Sequence, residues 1–168
     1  MNKLPPWIDT AQKLMGTKEV PGSSDNPKII AWAKVIGGDI EQSYVADSIP
    51  WCGLFVAYCM AENGIKPVSG ALWALSWSKF GQKLDEAVFG CILTIKRTGG
   101  GHVCFVVGQD DDYYHCLGGN QSDQVNITRI LKSQKVSLNW PKGFEEYKFI
   151  LPEKTKFTGK ISSVQQFS

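Results

Sequence analysis

Apolar residues recur at helical spacing through the first half of the chain. In PPWIDTAQKLMG, Trp7, Ile8, Ala11, Leu14 and Met15 fall on one face of a helix that Gly16 is placed to stop. DNPKIIAWAKVIGG repeats the pattern. Asn26 suits the N-cap, Pro27 the first helical position, and Ile29, Ile30, Ala33 and Ile36 make an apolar face before Gly37 and Gly38. A third helix is expected over SIPWCGLFVAYCMAENG, with Ser48 or a neighbour as cap, Pro50 in the first turn and Gly64 ending the run. GALWALSWSKFG predicts a shorter fourth.

From Ala87 onward the period changes from helical to extended. AVFGCILTIKR, HVCFVVGQ, YYHCLGG, VNITRIL and EEYKFILP are short, rich in β-branched and aromatic residues, and separated by turn chemistry. GQDDDY between two of them reads as a hairpin turn. Its aspartates lack the alternating spacing, the glycine and the closing glutamate of an EF-hand calcium loop. Helices followed by antiparallel strands imply an α+β fold, with the N-terminal helices packed on one face of a C-terminal sheet. Residues 1–152 are expected to form a single domain. EKTKFTGKISSVQQFS, residues 153–168, is polar and without a period, and reads as a surface extension.

Composition changes this picture little. The 168 residues are 43% hydrophobic and 20% charged, as in ordinary globular domains, and the net charge of +2 comes without a dense basic stripe. Nucleic acid is therefore not an expected partner. No apolar run approaches the roughly 20 residues that span a bilayer, so stable membrane insertion is not expected either. MNKLPPWIDTAQ has no apolar core of a secretory signal, which predicts synthesis in the cytoplasm without a signal peptide and a separate route to any external site of action.

The five cysteines, Cys52, Cys59, Cys91, Cys104 and Cys116, form no CxxC pair, so zinc-ribbon and thioredoxin-like readings lack their motif. Free cysteine is commonly buried as a small apolar residue, and Cys59, Cys91, Cys104 and Cys116 all sit in apolar runs. Cys52 differs by position. In the first turn of its helix, unpaired N–H groups and the positive end of the dipole favour a thiolate. Cys59 lies two turns further on, where those N–H groups are already paired.

A thiolate nucleophile needs a base that later protonates the leaving group, and only His102 and His115 are available. His102 follows TGGG and opens the strand HVCFVVG, a place from which an imidazole can meet another element at a cleft; His115 lies inside YYHCLGG. The base in turn needs a polar group to set its tautomer. LGGNQSD offers Asn120, Gln121 and Asp123 for that purpose.

PWCGLFVAYCMAENGI, GGGHVCFVVGQ and LGGNQSDQVNI, taken in this order, resemble the CHAP-like and NlpC-like cysteine peptidoglycan hydrolases. They are most similar to the small phage-associated, endolysin-like branch, and TKEVPGSSDNPKIIAWAK resembles its front region. The resemblance covers roughly residues 7 to 150. It implies a papain-like α+β fold and hydrolysis of amide bonds in the peptide part of the bacterial cell wall. By position it implies Cys52 as nucleophile, His102 as base and Asn120 as the orienting residue, with Trp51, Asp47 and Gln121 on the substrate side of the cleft. Gly53 stands where relatives carry Ser or Ala, and Cys104 where they carry Gly.

The chemistry so implied needs no metal or other cofactor. The expected partner is peptidoglycan, reached as a phage lysin with holin-assisted export or as an injected antibacterial effector matched by an immunity protein. The protein itself is expected to be a monomer. Two other classes compete. One is a non-enzymatic wall-binding or phage structural module of the same fold. The other is a metal-dependent hydrolase using His102, His115 and a cysteine, for which the ligand spacing is missing.

Overall fold

The computed structural model describes residues 3–20, 25–44 and 49–151. Helix α1 (Pro6–Lys13) starts on a proline, whose missing N–H would be unpaired there anyway, and it buries Trp7, Ile8 and Ala11. Helix α2 (Pro27–Ile36) is capped by Asn26, whose side chain accepts the Lys28 N–H at 2.9 Å. It buries Ile29, Trp32 and Ala33, while Ile30 and Ile36 are only partly covered. The chain does not stop at Gly37 and Gly38 as expected but turns into a further short helix, α3 (Gly38–Ser43).

Helix α4 (Cys52–Ala61) has Trp51 as its N-cap, so Pro50 precedes the helix instead of occupying its first turn. Asp47 and Ser48 lie outside the described residues, as does the expected extension at 153–168. Of the ten residues in α4, eight are buried, the mark of a helix covered on nearly every side. Trp32 of α2 stacks on its Tyr58 at 5.4 Å between ring centroids, and its Phe55 meets Phe105 edge-on at 6.1 Å. The fourth expected helix is a 3₁₀ segment, Ala74–Lys79.

Strands β1 (Gln82–Lys83), β2 (Ile92–Arg97), β3 (Gly100–Gln109), β4 (Tyr113–Gly118), β5 (Asn126–Leu131) and β6 (Lys135–Trp140) form one sheet. Their order is β1-β6-β2-β3-β4-β5, with every pairing antiparallel. The fold is therefore α+β. GQDDDY is the β3–β4 turn: Asp110 N–H donates to Tyr113 O at 2.9 Å, and the Asp110 side chain accepts the N–H groups of Asp112 and Tyr113. The residue pattern does not predict β6, because KVSLNW carries polar residues on a buried strand. Asn139 is one, and its amide donates to Phe80 O at 2.7 Å. EEYKFILP, expected as a strand, instead holds a 3₁₀ turn, Glu145–Tyr147, and a single bridge from Ile150 to Val88. No helix among the described residues is long and apolar enough to cross a membrane.

Candidate active site

Cys52 is the first residue of α4, and its side chain lies where β3 begins. Cys52 is 7% exposed and His102 beside it 2%. Burial by itself would raise the Cys52 thiol. A hydrogen bond and the charge of His102, with the amides of Val103 and Gly53, outweigh that and hold it below its usual value. Burial likewise lowers His102, but hydrogen bonds to Cys104 and Cys52 raise it to about 10. Both shifts favour passage of the thiol proton to the imidazole.

The other side of the ring is held by Gln121. His102 Nε2 donates to Gln121 Oε1 at 2.9 Å. The Gln121 amide nitrogen donates to Cys116 O at 3.1 Å, Asn126 O at 2.8 Å and Asn126 Oδ1 at 3.0 Å, so the carboxamide is oriented with its oxygen toward the imidazole. Asn120, the residue expected in this role, sits half-buried one position earlier with φ 56°, and no hydrogen bond joins it to His102. The correction is one of register: a loop with left-handed residues at Asn120, Ser122 and Asp123 turns the side chain of Gln121 inward.

Close packing around glycines makes this arrangement possible. A Cβ at Gly53 would stand 2.2 Å from Ala71 O, so the missing side chain lets the segment 71–72 pass against the helix start. A Cβ at Gly119 would stand 2.7 Å from the rings of Trp51 and from Phe55 Cβ, and the missing one admits the Gln121 loop over α4. Leu75 packs on Gly101, next to His102. The stretch 71–75 thus packs on the chain neighbours of both Cys52 and His102. Trp73 in this stretch is 78% exposed.

Trp51 does not line the cleft as expected. It is fully buried beneath the site, with its ring 5.9 Å from that of Trp32 and its Nε1–H donating to Glu19 Oε1 at 2.6 Å. His115 is also buried, but its Nε2 is paired with Asp110 Oδ2 at 2.9 Å, which Arg129 also grips at 2.7 Å. That cluster belongs to the β3–β4 turn.

Cys104 is the unexpected neighbour. Two residues beyond His102 on β3 and wholly buried, it reaches the same imidazole. Burial raises this thiol, but the Cys116 thiol, His102 and Arg97 outweigh that and bring it down to about 6, while Cys116 is pushed up by burial and by Cys104. One imidazole accepts one proton, so only one of the two thiols can give its proton to His102. Cys52 has two backbone amides and a helix start to hold the resulting charge, and it alone is partly open to solvent. Cys59 and Cys91 are pushed up by burial, Cys91 to about 12, and remain thiols. No group of three His, Cys, Asp or Glu side chains placed to hold a metal occurs among the described residues. Compared with known proteins, the chain matches no protein-family model and no curated protein.

Proposed function

We propose that the protein is a cysteine-dependent peptidoglycan hydrolase, an amidase or endopeptidase that cleaves amide bonds in the peptide part of the bacterial cell wall. The observation that carries the proposal is the ordered chain Cys52, His102, Gln121. It joins a thiol at a helix start to an imidazole whose far nitrogen is held by a fixed amide oxygen. The helix-start cysteine, strand-start histidine and loop amide are the arrangement a papain-like hydrolase would use. The wall as substrate comes from the resemblance of the three motifs. So does delivery to it as a phage lysin or an injected effector.

The geometry supports the following chemistry. The Cys52 thiolate attacks the amide carbonyl carbon, forming a C–S bond while the carbonyl electron pair moves onto oxygen. N–H groups at the start of α4 stabilise that oxyanion. The C–N bond then breaks, and the His102 imidazolium gives its proton to the departing amine. This leaves a thioester on Cys52 and a neutral imidazole. His102 next takes a proton from water, the hydroxide attacks the thioester, and the C–S bond breaks to restore thiolate and imidazolium. Throughout, Gln121 accepts from Nε2–H and keeps the other ring nitrogen turned toward sulfur and leaving group.

The test is mass spectrometry of fragments released from purified peptidoglycan. Wild type is expected to release fragments with new amine and carboxyl ends, which also identifies the bond. Cys52→Ala is expected to lower the rate by about 10⁴-fold or more. Cys59→Ala, seven residues along the same helix, should stay within about threefold of wild type. Undiminished release by Cys52→Ala overturns the proposal.

A further inference from the structure

The segment between α1 and α2 contains no residue that the proposed chemistry uses, yet it touches both halves of the site. We infer that Glu19 is a positioning residue for the Cys52–His102 pair, holding the nucleophile's helix start through its carboxyl group and the loop that orients the imidazole through its backbone N–H. The inference rests on the reading of Cys52 and His102 as the reacting pair.

The carboxyl half begins at Trp51. This residue is the N-cap of α4, immediately before Cys52, with φ −123° and ψ 17° outside the helical range. Where its side chain is anchored therefore sets where the helix starts. The indole is fully buried, its Nε1–H has one partner, Glu19 Oε1 at 2.6 Å, and the residues lie 32 positions apart in sequence. A short bond to a carboxyl oxygen is the strong kind, and a buried indole N–H left without it would have to move to find another acceptor.

The backbone half begins at the same residue. Glu19 N–H donates to Asp123 O at 2.9 Å. Around it, Gly16 N–H donates to Val125 O at 2.9 Å, Val125 N–H donates to Thr17 O at 2.8 Å, and Lys18 bridges Gln124 in antiparallel register. Residues 16–19 thus lie as a strap along the loop that carries Gln121. That loop needs one. Asn120, Ser122 and Asp123 are all left-handed, a conformation that costs a non-glycine residue energy, least for Asn and Asp and more for Ser122. The two halves also meet directly, since the Trp51 ring packs on Gly119 at the start of the loop. Glu19 is the one residue on this strap that binds the helix start with its side chain and the loop with its backbone.

The consequence is a fixed separation between sulfur and imidazole. Displacement of a reacting group by about 1 Å costs on the order of 10²-fold in rate even when the change lies outside the chemistry. Glu19→Ala keeps the backbone bond and removes the anchor of Trp51. Glu19→Gln keeps an acceptor oxygen at the same reach.

The readout that a merely structural role would not move is the pH profile of Cys52 alkylation by iodoacetamide, followed by mass spectrometry. It is measured beside kcat and KM for wall-fragment release. For Glu19→Ala the alkylation midpoint is expected to rise by about one pH unit toward that of an ordinary thiol. Its kcat is expected to fall by about 10²-fold with KM within about threefold of wild type. Glu19→Gln should recover both to within about threefold. Trp51→Phe removes the donor and keeps the ring, so adding it to Glu19→Ala should cost little more than either change alone.

An unmoved midpoint in Glu19→Ala with only a lower Tm overturns the inference. So does a Glu19→Gln protein as impaired as the alanine variant, or full additivity with Trp51→Phe. If Glu19→Ala does not fold, Trp51→Phe and Glu19→Gln give the same decision. A wild type with a low alkylation midpoint but no release of wall fragments would instead overturn the proposed substrate and leave the positioning role standing.

Discussion

Gln121 holds one nitrogen of the His102 ring. Its amide nitrogen has acceptors on Cys116 and Asn126, so its oxygen faces the imidazole and takes the Nε2 proton. That leaves Nδ1 as the ring nitrogen for the Cys52 thiol. Replacing it by leucine leaves a buried N–H without an acceptor, at a cost of about 1–3 kcal/mol, or roughly ten- to a hundredfold in rate. Gln121→Leu is therefore expected to lower kcat by that factor on soluble wall fragments. Asn120→Gly, which suits φ 56°, should stay within about twofold of wild type. An Asn120 variant as damaged as the Gln121 variant would return the orienting role to Asn120. The polar cluster after the glycine pair is legible in the sequence, whereas which of its amides meets His102 is not. Residues 120 and 121 are both amides, and only the three left-handed backbones of the loop turn one of them inward.

At the scale of elements, the start of α4 is a place where two backbone segments press closely together. Gly53 has the carbonyl of Ala71 where its Cβ would be, at 2.2 Å, and backbone cannot rotate away as a side chain can. Gly53→Ala is expected to destabilise the protein by roughly 1–3 kcal/mol, read as a lower urea midpoint at unchanged m-value. An unchanged midpoint would mean that the segment 71–72 moves aside freely. The helices were legible because their signals are local: Asn26 before Pro27 makes a cap and a first turn whatever the rest of the chain does. β6 was illegible for the opposite reason. Ser137 and Asn139 break the apolar run, and Asn139 is tolerated inside because Phe80 O, 59 residues earlier, accepts its amide hydrogen.

Across the whole molecule the two ends of β3 do different work. His102 stands near one end. At the other, Asp110 binds His115 at 2.9 Å and Arg129 at 2.7 Å, while Arg129 lies over the Tyr113 ring at 4.1 Å. Burial raises the Asp110 carboxyl, but His115, Arg129 and the N–H groups of Asp112 and Tyr113 hold it well below the usual carboxylate range. Burial of His115 lowers its value despite the pull of Asp110. Both groups thus bind protons less readily folded than unfolded. Their contribution is present at neutral pH and is lost as pH falls, from about 6.5 for the histidine and from about 4 for the aspartate. Urea midpoints measured from pH 7 to pH 3 should fall accordingly for wild type, and Asp110→Asn should flatten the part below about pH 4.5. An equal acid slope in the variant would place the sensitive group elsewhere.

What the sequence determined by itself is what neighbouring residues settle among themselves. It yielded the helical first half, the stranded second half, the β3–β4 turn, and the difference between a cysteine at a helix start and one two turns inside. What only the tertiary structure decided depends on residues far apart in the chain. Gln121 takes the ring of His102 across 19 positions, Glu19 takes the indole of Trp51 across 32, and Cys104 and Cys52 compete for one imidazole. The physical reason is range. Capping, period and turn preference act over a few residues, whereas a hydrogen bond across a core exists only once the packing of the whole sheet has brought its partners within 3 Å or so of each other.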